Sequence, residues 1–203
     1  LELGVFQNGS CDLGNIVSKD GIRVTGGNLK ETSEAARREL VSQIRQGIVA
    51  DKLGFNYFFM TEHHMQPEGA EFSPNPIQTE TAIAMRTNRI RMGSMANILT
   101  WHHPVRLAEQ LAMLDVISGG RLEVGIGRGY QSRETEVLGG VLGATVQDQE
   151  RNRSFFNEAY EIIMKCWTEP SFSHVGEFFQ LPPTYTKWAN PSTIAYFNSD
   201  HVE

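Results

Sequence analysis

Three short clusters in this 203-residue chain hold the side chains best suited to chemistry. They are Thr61-Glu62-His63-His64, Trp101-His102-His103-Pro104 and Gly125-Ile126-Gly127-Arg128-Gly129-Tyr130. Four of the six histidines fall in the first two. Those four and Glu62 could in principle ligate a metal ion. Adjacent residues of an extended chain point in opposite directions, so each His-His pair offers one ligand to a common centre. A His-x-His spacing, which would serve a barrel metal site better, is absent. The pattern therefore predicts no metal. His103 reads as a helix N-cap before Pro104 and His102 as a loop residue. His63 has two readings: a hydrogen-bonded histidine at the rim of the fold, or a group that holds or moves a proton, as imidazoles do near neutral pH.

The glycine-rich cluster is not a Gly-x-Gly-x-x-Gly dinucleotide loop, because Tyr130 follows Gly129, and it does not open a sheet. Gly125, Gly127 and Gly129 remove side chains where a flat ring or a phosphate could approach the backbone. Arg128 beside them is a rigid cationic fork suited to a phosphate. Close packing at a strand end, with Arg128 paired to a carboxylate, is the alternative, and spacing does not separate the two.

These clusters act together only if the chain brings them to one edge. Leu1 to Phe6 reads as a strand, followed by a polar loop from Gln7 to about Lys30. That loop is either a solvated connector or a cover for a substrate. Leu40, Val41, Ile44 and Ile48 recur at helical spacing within a helix from Thr32 to Leu53, with Thr32 or Ser33 as N-cap and Gly54 as C′ glycine. Phe55 to Met60 is a short buried strand. Asn75 caps a second helix that runs from Pro76 to about Arg86, and Ile90 to Ile98 is the third strand. Leu107, Leu111 and Leu114 mark the helix after Pro104, which Gly119-Gly120 ends before a fourth strand from Arg121 to Ile126. Phe155, Phe156, Ala159, Ile162, Ile163, Cys166 and Trp167 mark a fourth helix. Residues 171–181 read as a β-hairpin insertion turning at Val175-Gly176, and residues 182–203 carry no clear pattern.

The alternation predicts an α/β fold with a parallel sheet covered by helices, in a single domain over 1–203. Four βα units suit a doubly wound sheet or half of a TIM (β/α)8 barrel, and periodicity does not choose. A closed barrel takes ~250 residues, so a barrel would have about half of its strands outside this chain. In either case function gathers at the C-terminal ends of the strands, where all three clusters lie. The formal charge of -6 argues against a broad nucleic-acid surface. No apolar run is long enough to span a membrane. The opening Leu1-Glu2-Leu3 is neither a signal peptide nor an initiator Met. Cys11 and Cys166 lie far apart in no motif, which points to a reducing compartment, the cytoplasm.

Beyond spacing, several segments resemble a known family. TEHH, SPNPI, RIRMGSMANIL, the block HHPVRLAEQLAMLDVISGGRLEVGIGRGY and FFNEAYEIIMKCWTE are similar to bacterial luciferase-like flavin monooxygenases over about residues 1–181. The resemblance implies a TIM barrel using reduced FMN or, in a sister branch, the deazaflavin F420. It implies that His63 is the active-site histidine near the flavin's reactive edge. Arg128 and, at the opening of the fourth helix, Arg153 would lie on the phosphate side. Met95-Ala96 matches the place of a non-proline cis peptide beside the isoalloxazine ring. Glu62, Trp101 and Tyr130 are candidate walls of the substrate pocket, with rim packing as the alternative for Trp101 and Tyr130. Gly127 stands where luciferase itself has a reactive cysteine, which argues against light emission. The implied activity is a monooxygenase that oxygenates an aldehyde, ketone or similar small molecule with O2, supplied by a flavin reductase and assembled as a homodimer through helices beside strands two and three. The alternatives are an F420-dependent hydride-transfer enzyme and a non-catalytic flavin-binding subunit.

Overall fold

The structure, a computed structural model, describes all residues except 14, 21, 27, 67–70, 184–186 and 198–203. In chain order these form β1 (Gly4–Gln7), the hairpin β2 (Asn15–Lys19) and β3 (Ile22–Gly26), α1 (Leu29–Leu53), β4 (Tyr57–Met60), α2 (Pro76–Ala84), β5 (Arg91–Ser94), β6 (Asn97–Ile98) and α3 (Pro104–Ser118). There follow β7 (Ile126–Gly127), the helical turn α4 (Ser132–Glu134), α5 (Gln149–Thr168), a second hairpin β8 (His174–Val175) and β9 (Gln180–Leu181), and α6 (Pro191–Phe197).

Strand order settles the architecture. β1 pairs in parallel with β4, β4 with β5, and β6 with β7. The chain before β7 continues this order, since Met92 N donates to Arg121 O at 3.0 Å and Glu123 N to Met92 O at 2.8 Å. Each strand therefore lies beside its predecessor. A doubly wound sheet would reverse direction at a switch point. This order does not reverse, and it is that of a (β/α)8 barrel, of which the chain forms four units.

Strand alternation sorts the side chains by face. Phe58, Met60 and Met92 face the helices and are fully buried with Ile83, Ile90 and Leu114. A second core joins α3 to α5 through Leu107, Leu111, Phe155, Ala159 and Ile163. Each such side chain contributes about 1.5–3 kcal/mol by leaving water. The opposite, inner face is open: Phe6 is 56% exposed, and Arg91 there pairs with Glu123. At the other end of the sheet, the Arg121 guanidinium donates to the carbonyls of Ala84, Thr87 and Ile90, satisfying the C-terminal end of α2. No helix among the described residues is long and apolar enough to cross a membrane.

Several elements differ from the expectation. The loop after β1 contains the antiparallel β2–β3 hairpin, pairing Asn15 with Gly26. In the sequence, Asp20-Gly21 between segments rich in β-branched residues is a hairpin signal. Helix α1 begins at Leu29, and its cap is Asn28 in a capping box with Glu31, not Thr32 or Ser33. Leu40 and Val41 are exposed, while Gln43, Gly47 and Ala50 face inward. Gly47 serves there because a Cβ would come within 2.7–2.9 Å of Ile83 on α2. Helix α2 ends at Ala84 rather than near Arg86. The third strand is interrupted at the cis peptide Met95-Ala96. The fourth strand is a ladder only at Ile126–Gly127, with an isolated bridge from Leu122 to Met92. His103 occupies the N-cap of α3 but its side chain makes no capping bond, and its ring packs edge-on against Phe179 at 5.3 Å. The second hairpin turns over four residues, Gly176 to Phe179, whose Glu177, Phe178 and Phe179 amides donate to the Glu158 carboxylate on α5. Residues 182–203, unassigned from sequence, include the cis Leu181-Pro182 bond and α6.

The close strand contact gives a stability test. A Cβ on Gly93 would fall on the Glu123 carbonyl oxygen, so strands three and four meet backbone to backbone. Gly93→Ala is expected to destabilise by about 2–3 kcal/mol or more in urea denaturation. Gly140→Ala, whose Cβ would meet nothing nearer than 3.9 Å at φ −58°, is the control and should be neutral or stabilising by about 0.5 kcal/mol. Equal effects of the two would remove the contact's importance.

Candidate active site at the strand ends

β4 ends at Met60, and Thr61 to His64 leave the sheet at its C-terminal edge. A backbone bridge pairs His63 with Ser73, and His63 is only 9% exposed. Its ring lies between two carboxylates: Nδ1 is 3.2 Å from Glu134 Oε1 and Nε2 is 3.2 Å from Glu71 Oε2. Both contacts are hydrogen bonds only when both ring nitrogens carry a proton. Glu134 is 1% exposed and also accepts the His64 amide at 2.6 Å. The exit of β4 is thereby tied to α4, just beyond β7.

Glu62 forms a second junction. It is 4% exposed, with Oε1 2.8 Å from His102 Nε2 and 3.4 Å from His64 Nε2, while Oε2 accepts the Ile98 amide at 2.7 Å. Burial pushes its carboxyl up, but hydrogen bonds from His102, His64 and Ile98 and the charge of His102 outweigh burial and hold it below the usual range. The histidine clusters are thus brought together through carboxylates. Among the described residues no group of three or more His, Cys, Asp or Glu is arranged to hold a metal.

Arg128 leaves the sheet from β7 at the same edge. Its guanidinium makes one long hydrogen bond, to Asn152 Oδ1 at 3.4 Å, and no ion pair among the described residues. The reading that pairs it with a carboxylate is set aside. Its carbonyl accepts the Thr100 hydroxyl at 2.8 Å, which fixes the backbone there. The three glycines have a packing role. A Cβ on Gly125 would fall on the Ser94 carbonyl oxygen, and one on Gly127 would reach Ile98 at 3.0 Å. Gly129 has φ 75° and packs against Thr135, Ile98 and Trp101. In the direction a side chain would take, each of these glycines meets protein.

The other sequence candidates are dispersed around this rim. Trp101 packs edge-on against His64 with centroids 5.4 Å apart. Tyr130 is 74% exposed. Met95 is exposed and Ala96 half-buried. Arg153 lies in the second turn of α5 with a 58% exposed side chain and a loose 3.8 Å contact to Glu150. Glu71 and Glu134 were not singled out from sequence: their partner His63 is up to 71 residues away, and no local motif announces such a contact. Beside His63 a cavity of about 490 Å³ opens between the chain after β1, the start of α1 and the segment after β4. Such a volume is that of a small-molecule site.

Histidines, carboxylates and an arginine with no ion pair among the described residues stand at the C-terminal ends of sequentially ordered parallel strands, the edge where TIM barrels carry their sites. The Luciferase-like monooxygenase family model matches residues 21–195, and the chain belongs to that family. It is 32% identical to the oxygenase component of a flavin-dependent trigonelline monooxygenase from Acinetobacter baylyi, over 67% of this chain and 36% of that protein. It is 31% identical to limonene 1,2-monooxygenase from Rhodococcus erythropolis, over 71% of this chain and 35% of that one. The structure of monooxygenase RslO1 from Streptomyces bottropensis superposes with a TM-score of 0.69 at 28% identity, covering 89% of this chain and 47% of that one. The chain thus spans less than half the length of each.

A further buried acid lies behind the rim. Glu80 on α2 is fully buried; its Oε1 accepts the Ser94 hydroxyl at 2.9 Å and its Oε2 has no partner among the described residues. Burial, opposed by the Ser94 bond and reinforced by the Glu62 charge, pushes its carboxyl up to about 7 from an ordinary 4.5. The folded state therefore prefers the neutral acid, while the unfolded chain ionises near 4.5. Stability is full below pH 4.5, falls as pH rises toward 7, and then levels off, by at most roughly 3 kcal/mol. Glu80→Gln is expected to gain stability relative to the parent at pH 8 but not at pH 4.5. Chemical denaturation at the two pH values reads the difference. A gain independent of pH would remove Glu80 as its source.

Proposed function

We propose that this chain carries the cofactor and substrate rim of a flavin-dependent monooxygenase that uses reduced FMN and O2 on a small organic substrate. The observation that carries this reading is Arg128, a half-buried guanidinium without an ion pair among the described residues, at the same strand edge as His63. An unpaired cation there suits the phosphate tail. Buried polar atoms lacking partners among the described residues, Thr61 Oγ1, Trp101 Nε1 and Thr135 Oγ1, fit the same conclusion, since such atoms are costly unless a ligand or water meets them. The flavin-dependent trigonelline relative supports the cofactor class.

Reduced FMN, when bound, supplies the electrons that activate O2. Arg128 binds the phosphate, with Arg153 as a second, outer cation. Met95-Ala96 supports the ring. His63 holds a proton at Nε2 or Nδ1, its ring fixed by Glu71 and Glu134. Glu62 positions His64 and His102 rather than touching substrate. Trp101 and Tyr130 border the rim. The relative named as an oxygenase component supports a separate flavin reductase as the partner that delivers reduced FMN, and we assign a homodimer to the working enzyme.

Absorbance titration with FMN, riboflavin and F420 tests this. FMN should bind, and Arg128→Ala should weaken it about 10–100-fold while leaving riboflavin, which lacks the phosphate, unchanged. Equal losses for both flavins would deny Arg128 its phosphate, and tight F420 binding without FMN binding would transfer the site to hydride-transfer chemistry. In the reductase-coupled assay His63→Ala should lower turnover at least 10-fold; unchanged turnover would leave a flavin-binding subunit.

A further inference from the structure

The methionines of this chain divide by place. Met60 and Met92 are buried beneath the helices. Met85, Met113 and Met164 are exposed on or next to α2, α3 and α5. Met65 belongs to neither group. It is 41% exposed and stands on the wall of the cavity beside His63, a wall that Met95 does not share.

The backbone that presents Met65 is also unusual. Its φ is 52°, in the left-handed region, and among the described non-glycine residues only Asp20, between β2 and β3, has a positive φ as well. A short polar side chain such as Asp tolerates that region by bonding to nearby backbone, and a long apolar one has no such compensation. Strain of this kind beside a candidate site points to a role for the side chain it presents.

The chemistry open to that side chain is narrow. A thioether carries no ionisable proton and bonds hydrogen weakly, but it gives an electron pair readily to an oxidant. The other sulfur on this wall, Cys11, would react with a peroxide as its thiolate. Burial, together with Glu39 and against the opposing charge of Arg38, pushes the Cys11 thiol up, so the thiolate is scarce near neutral pH. Oxidation of Met65 needs no prior ionisation.

We infer that Met65 is a modification site, whose sulfur intercepts hydrogen peroxide released at this edge and becomes methionine sulfoxide. For the source of the peroxide this rests on the monooxygenase reading. O2 that takes two electrons and two protons from reduced FMN without reaching a substrate leaves as hydrogen peroxide. The sulfur lone pair attacks one peroxide oxygen, the O–O bond breaks as the S–O bond forms, and the second oxygen leaves as water with both protons. The sulfoxide is polar and chiral where the thioether was apolar, and a methionine sulfoxide reductase reverses the change.

Site-resolved mass spectrometry tests this without an assay of turnover. In one arm the chain carries FMN below the protein concentration, kept reduced by a flavin reductase in air, with catalase to destroy peroxide that escapes. In the other arm it receives hydrogen peroxide alone. Each methionine's oxidation rate in the first arm is divided by its own rate in the second, which cancels differences in exposure. The ratio for Met65 should exceed those for Met85, Met113 and Met164 by about tenfold through proximity to the source, with Cys11 still a free thiol. A Met65 ratio no higher than those of the outer methionines, a higher ratio for Met95, or oxidation of Cys11 ahead of Met65 would each overturn the proposal. FMN titration of the same protein separates the two readings. Bound FMN without selective oxidation of Met65 discards the modification site and keeps the flavin enzyme, whereas a chain that binds no FMN loses both.

Discussion

Two buried carboxylates hold the rim together. A carboxylate that leaves water must find donors, and Glu62 and Glu134 find theirs on segments that follow other strands of the sheet. Glu134, beyond β7, takes the amide of His64 and faces the ring of His63, both at the exit of β4. Glu62, at that exit, takes the amide of Ile98 after the third strand and faces His102 before α3. If either acid were lost, imidazoles and amides would be left buried without an acceptor, and three strand exits would lose their spacing. The position of His63 is therefore a consequence of acid–amide pairing as much as of the strand that carries it.

The sheet explains why that pairing falls at one edge. Parallel strands in sequential order send every C-terminal end the same way, and the Gly93 and Gly125 contacts let the third and fourth strands approach through bare backbone. Helices bury the outer-face side chains Phe58, Met60 and Met92. The inner face, with exposed Phe6 and the Arg91–Glu123 pair, has the character of a barrel interior. Parallel sheets are stable when both faces are covered. An open inner face therefore agrees with the chain's match to less than half of its relatives' length.

The units were legible because their punctuation is local. Asn75-Pro76, Gly54 and Gly119 stop and start helices through backbone chemistry that needs no distant partner. The same kind of signal, Asp20-Gly21, announced the first hairpin and was outweighed by the polar composition around it. Strand order was hidden, since an alternating pattern is identical in a barrel and a doubly wound sheet. The site was legible in half. His63 and Arg128 were visible as chemistry-bearing residues; Glu134 was not, because a side chain 71 residues from its partner declares nothing in a local window, and Glu71, though near in sequence, stands in no motif with His63. Gly125, Gly127 and Gly129 show another limit: a constraint on side-chain size was seen, but not its neighbours, which are the Ser94 backbone for Gly125 and the side chains of Ile98, Thr135 and Trp101 for the other two.

Charge along this edge also orients whatever enters. On the His63 side, Glu71 and Glu134 place two carboxylates around one imidazole. On the β7 side stands Arg128, with no carboxylate partner among the described residues. A molecule with an anionic tail is repelled from the first region and drawn to the second, and within a partly buried rim salt screens this preference only weakly. One orientation follows: the charged tail toward Arg128, the uncharged portion toward His63.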